Sequence, residues 1–98
     1  MKWTPDLLAK VTFYSTEIGG RKGVTPHDIF GCPLEFDNEY FDARFDLTES
    51  GEVKPGTTVN LPVKFLNKEL VKQKLSVGVK FKLWESGTIG EGEILEVF

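Results

Sequence analysis

Strict two-residue alternation, repeated along the chain, is the strongest constraint on its fold. From Tyr40 to Leu47, Phe41, Ala43, Phe45 and Leu47 fall on one side, and Tyr40, Asp42, Arg44 and Asp46 on the other. Val59, Leu61, Val63 and Phe65 repeat the pattern, with Asn60, Pro62 and Lys64 facing away. Val77, Val79, Phe81 and Leu83 repeat it again, opposed by Gly78, Lys80, Lys82 and Trp84. Successive side chains of an extended strand point to opposite faces, so each run is a strand with one apolar face. The first run, LLAKVTFYS, and the last, EGEILEVF, are strand-like too. One-sided strands of this kind suit an antiparallel sheet curled around a single core. The expected class is therefore all-β, as a barrel or a sandwich. A small closed antiparallel barrel of about six strands is favoured, because closure leaves no strand edge exposed.

Turn chemistry separates the runs. In KPGTT, Pro55 precedes Gly56, the order a type II turn needs, since its second central residue has positive φ. Gly87, Gly90 and Gly92 crowd ESGTIGEGE and predict a hairpin with a bend or bulge. Pro62 has no N–H to give a ladder, which places it at an edge or a bulge. In NKELVKQKL, Leu66 and Leu70 with Val71 and Leu75 could share a helical face. The run is too short to be a stable helix alone in water and reads as a loop or a single turn.

The size suits this picture. A chain of 98 residues is expected to form one domain over 1–98, large enough for a core without staples. Its 40% hydrophobic and 28% charged content is that of a folded soluble chain. No apolar run approaches the roughly 20 residues of a membrane-spanning helix, and no membrane partner is expected. MKWTPDLLAK lacks the pattern of a secretory leader, and the single Cys32 can form no internal disulfide. Both point to a reducing, cytoplasmic setting.

Charge narrows the partners. A net charge of -3 disfavours indiscriminate nucleic-acid binding, DNA included, which rests on neutralising many phosphates. The charge is uneven, however. From Lys54 to Lys82, seven lysines stand against Glu69 alone, a local +6. That is either a solvated face or a basic patch.

Residues able to do chemistry are sparse. GGRKGVTP, Gly19 to Pro26, has the glycines of a phosphate loop, but Val24 follows Gly23 where such a loop needs lysine. NKEL at Asn67 to Leu70 shares its Asn-Lys with a guanine-reading motif, yet Leu70 replaces the aspartate. No nucleotide is expected to bind. Cys32 and His27 are near in sequence and form the one conceivable nucleophile–base pair. Cys32 also suits a core position, and His27 after Pro26 reads as a loop residue. One Cys and one His do not make a zinc site, and Asp42 and Asp46 read as an exposed strand face. An enzyme is disfavoured, since no convergent nucleophile, base and oxyanion donor can be named. No cofactor or metal is expected. Trp84 stands apart because it lies on the outward register beside Lys82 and Glu85, as an interface anchor, a stacking platform or a cover for the barrel.

In order and spacing, these elements resemble the C-terminal β-barrel domain of translation elongation factor Tu and its relatives. KVTFYSTEIGGR matches that family's first strand and its Gly-Gly-Arg corner at Gly19, Gly20 and Arg21. Thr25, Pro26 and Pro33 follow, then Asp46, Leu47 and Thr48 at a strand end and the Pro55–Gly56 turn. FKLWESGTIGEGEILEVF matches the final hairpin through Phe81, Glu85, Gly87, Gly90 and Gly92. The resemblance runs from about residue 9 to the C-terminus. It departs at Phe30-Gly31-Cys32-Pro33, where the family has Gly-Tyr-Arg-Pro, and at Arg44 and Phe45, where the family has threonines. It implies a stand-alone, non-catalytic binding module in a translation-related role, contacting a protein or, less favoured, tRNA or rRNA. An immunity, inhibitor or adaptor protein that reuses the barrel for one protein partner is the alternative. The expected contact residues are Arg21, Lys22, Arg44, Lys82, Trp84 and Ser86. Arg21 has two readings, a structural ion-pair partner or a phosphate contact.

Overall fold

Phe45, with none of its surface exposed, lies inside a closed cylinder of strands. The computed structural model describes residues 4–98. Met1, Lys2 and Trp3, on which the reading of the leader partly rests, lie outside the described residues. Six strands form among them: β1 (Leu7–Phe13), β2 (Ile29–Phe36), β3 (Glu39–Asp46), β4 (Thr58–Phe65), β5 (Lys80–Trp84) and β6 (Thr88–Val97). Their order around the barrel is β1-β4-β3-β2-β5-β6, and β6 pairs back onto β1. Every pairing is antiparallel. The all-β class, closure and strand number match the reading of the alternation.

The inward sets are those of the alternation. Ala43, Phe45 and Leu47, then Leu61, Val63 and Phe65, then Phe81 and Leu83 are all buried. Phe13, Phe30 and Phe45 pack at one end, with centroids 5.8 and 6.2 Å apart. Phe36 gathers Phe41, Phe65 and Phe81 at the other. The turns also follow expectation. Gly56 has φ of 85°, as the second central residue of a type II turn requires. The β5–β6 hairpin carries its irregularity between Leu83 and Trp84. Pro62 pairs with Leu8 of β1, and the β3–β4 ladder stops at Phe45↔Val63, one residue before it. Its missing N–H is thus tolerated because β3 leaves β4 there, although a closed barrel has no true edge.

Residues 68–74 form the expected single turn, α1 (Lys68–Val71), followed by a 3-10 turn (Lys72–Lys74). Val71 is buried and Leu75 packs half-buried on the core, while Leu66 and Leu70 stay exposed, so only part of the apolar set lies on the barrel. One expectation needs correction. Val77 lies before β5 and is exposed rather than inward. Among the described residues no helix is long and apolar enough to cross a membrane.

Candidate interaction surface

The chain corner at Gly19–Pro26 is built around Arg21. Gly19 has φ of 97°, a left-handed conformation that glycine adopts without cost, and it turns the chain away from β1. The Arg21 side chain then reaches back over the barrel. Its Nε donates to Glu85 Oε1 at 2.9 Å, and Nη1 donates to the Val24 carbonyl at 2.7 Å. The guanidinium carbon sits 4.9 Å from the centre of the Phe30 ring. These contacts join the corner, β2 and the segment after β5. Thr25 completes the closure: its N–H and hydroxyl oxygen both bond to the Val53 backbone. Arg21 therefore serves as an ion-pair partner that holds the structure together. Arg21→Ala should lower unfolding free energy by about 1–2 kcal/mol, as losing charged hydrogen bonds at a partly exposed site does. Arg21→Lys should restore little, because a point charge cannot stack on Phe30 and grip two partners. Denaturant titration checks both, and a loss under about 0.5 kcal/mol, the usual bound for a neutral surface change, would assign Arg21 to another role.

The other expected contact residues divide between two areas. Lys22 is exposed on the corner loop, and Ser86 occupies the tip of the last hairpin at φ of 54°. Arg44, Lys82 and Trp84 lie on the outer face of the β3–β2–β5 sheet. Register arranges that face as a grid. Arg44 is opposite Gly31, Asp42 opposite Pro33, Tyr40 opposite Glu35, and Glu35 opposite Lys82. All alternate outward with the same period.

Trp84 is 38% exposed and Tyr40 54% exposed, and their rings meet edge to face at 5.7 Å. With Pro33 they line a shallow groove of about 220 Å³ whose walls are almost wholly apolar. A second dent of about 160 Å³ adjoins it, formed by Tyr40, Phe41, Leu66 and Leu70 with Asp42 and Asn67. Tyr40 belongs to both, so one apolar strip runs from β5 across β2 and β3 to α1. Half-exposed aromatics grouped around a concavity are the residues that most often anchor protein contacts.

The local +6 segment does not form a continuous basic patch. Lys80 and Lys82 stand opposite Glu93 and Glu91 of β6, and Lys82 also faces Glu35. Lys74 Nζ lies 2.7 Å from Glu39, and Lys68 Nζ lies 3.7 Å from the buried Asp6. Long-range pairing thus sets acids against most of these lysines.

Cys32 and His27 are not assembled for chemistry. Cys32 is 4% exposed within β2, whereas His27 is exposed on the corner loop. Burial, reinforced by the Glu85 charge, pushes the Cys32 thiol up to about 12, so it stays protonated and weakly nucleophilic near neutral pH. Among the described residues no group of three His, Cys, Asp or Glu side chains is placed to hold a metal ion.

Tyr40 and Pro33 are the surface residues that sequence reasoning missed. The signal was present, since Tyr40 shares the outward register of Asp42 and Arg44. Its proximity to Trp84 depends on β2 lying between β3 and β5. No protein-family model matches the chain, and no curated protein matches it.

Proposed function

We propose that this barrel is a non-catalytic binding module that docks a protein partner on the outer face of β3, β2 and β5. The observation that carries the reading is the Tyr40–Trp84 pair, exposed edge to face over an apolar groove. Lys68 and Lys74 pair with acids and Lys80 and Lys82 stand across the ladders from glutamates, and this interruption of the positive charge, with a net charge of -3, supports a protein over an RNA partner. The resemblance of the Gly19–Arg21 corner and the end hairpin to the elongation factor Tu barrel supports a translation-related role.

The test is affinity capture from native lysate on wild-type, Trp84→Ala and Tyr40→Ala barrels, with RNA scored in parallel. Each substitution should weaken capture of the bound protein at least about tenfold, as truncating an aromatic anchor does. Thermal unfolding should show both variants folded, with the larger drop in Trp84→Ala, since Trp84 is only 38% exposed. Recovery of ribosomal or tRNA-associated proteins supports the translation role. One stoichiometric partner from outside translation would favour the immunity or inhibitor role. Capture that ignores both substitutions, or that reports only salt-sensitive RNA, would exclude this face as a protein-docking site.

A further inference from the structure

We infer that the groove over Pro33 receives an extended segment of the partner, with an apolar side chain seated on Pro33 against the Tyr40–Trp84 pair and a single carboxylate two residues along on Arg44. The inference rests on the protein-docking reading above and deepens it.

The shape comes from β2. Its outward positions are Gly31, Pro33 and Glu35, flanked by β3 and β5. Pro33 carries only a compact ring and floors the groove beside Tyr40 and Trp84, while the space over Gly31 is taken by the Arg44 side chain, so the trench runs over Pro33 and ends at that guanidinium. An extended ligand lying in it repeats every two residues, about 6.6–7 Å. Gly31 and Pro33 are spaced by that same interval.

The charge comes from Arg44. Its side chain crosses onto Gly31, where Nη1 and Cδ lie 2.8 and 3.0 Å from the position a Cβ would take. Only glycine leaves room for this path. The guanidinium is thereby held at one end of the trench, one outward position from Pro33. It donates to the Ala43 carbonyl at 3.0 Å. Among the described residues no carboxylate lies within ion-pairing distance of it. Arg44 also faces Lys64 directly across the β3–β4 ladder, and like charges so placed repel. A carboxylate that arrives at Arg44 relieves this repulsion and takes up free donors of a five-donor fork. Glu35 at the far end of the trench repels acid, which gives the ligand a direction.

A nucleic-acid strand fits this face less well. Asp42 and Glu35 border the site and confine negative charge on the ligand to the one position at Arg44, whereas a run of phosphates would meet both acids. The Tyr40 and Trp84 planes are inclined by 68°, which leaves no parallel slot for a base.

Random peptides displayed on phage, selected on the wild-type barrel, test the inference. Enriched peptides should share an apolar residue with Asp or Glu two positions away. A synthetic peptide of that consensus should bind Arg44→Gln about tenfold more weakly, the scale of one charge-assisted contact at an accessible site. Its Asp→Asn version should bind wild type and Arg44→Gln alike. Arg44→Lys should keep part of the preference, and Trp84→Ala should abolish binding of both peptides. Thermal melts confirm that each variant is folded.

Enrichment of apolar anchors with no acid preference, or an affinity unchanged by Arg44→Gln, would overturn the carboxylate inference while leaving the docking face intact. Binding that depends on neither Trp84 nor Tyr40, or no enrichment at all, would overturn both. Binding of a homopolymer RNA that is lost in Trp84→Ala and Arg44→Gln would reassign the trench to single-stranded RNA.

Discussion

Replacing Phe45 by Ala is expected to remove about 3–5 kcal/mol of stability, the cost of deleting a large aromatic from a packed core. Phe45 is fully buried and stacks with Phe30 at 6.2 Å. It belongs to β3, whose ladders reach both β2 and β4. The vacated space would therefore lie against three strands, and a closed cylinder cannot collapse into it by moving one of them. A domain of this size holds only about 5–15 kcal/mol in total, so the variant should stand near the edge of folding. Each kcal/mol shifts the melting midpoint by about 4–8 °C in a domain of 60–100 residues. Phe45→Leu, which keeps most of the volume, should lose much less. Equilibrium urea unfolding gives the values, and a loss below about 1 kcal/mol, too small for a well-packed aromatic, would show that Phe45 is not tightly packed in the core.

Asp6→Leu should cost about 1–3 kcal/mol, the penalty for stranding a buried backbone donor. The Asp6 carboxylate is 8% exposed and accepts the Phe65 N–H at 2.8 Å, where β4 leaves the barrel. Its other oxygen lies 3.7 Å from Lys68 Nζ, which also donates to the Phe98 carbonyl at 3.1 Å. Leucine would bury the same space while leaving the Phe65 amide without a partner. Asp6→Asn keeps an acceptor oxygen and should recover most of the loss. Amide hydrogen exchange provides a local check. The Phe65 amide should exchange faster in Asp6→Leu than in Asp6→Asn, and equal rates would mean that the carboxylate does not secure this end of β4.

These two residues differ in how far the sequence announces their role. Phe45 is legible because its neighbours alternate strictly, and burial follows from the period. The same holds for the Pro55–Gly56 turn and the Gly87 hairpin, where backbone geometry restricts the residue type. Asp6 is not legible, since an acid just before a strand ordinarily points to water. Its partner is 59 residues away in sequence, brought near only by the β1–β4 pairing. Arg21 is similar, with two local readings separated only by Glu85 and Phe30. The lysine-rich stretch misleads for the same reason, because the acids facing it come mostly from β3 and β6. Residues 66–75 carry apolar side chains at helical spacing, yet a four-residue helix buries only the side it lays on the barrel. The groove required two outward aromatics from strands that are neighbours of β2 and not of each other.

The β2–β5 ladder holds only two register pairs, Leu34↔Leu83 and Glu35↔Lys82. Beyond them Pro33 has no N–H to offer β5, and the Arg21–Glu85 contact takes over. This is the closure with the fewest register pairs, and a short ladder is where brief local opening is expected. Trp84 and Pro33 stand on its two sides, so anything gripping both would work as a clasp across it. A guest seated there would quieten the motions of β2 and β5 while β1 and β4 stayed as they were, and recognition would be felt as a tightening of the barrel wall itself.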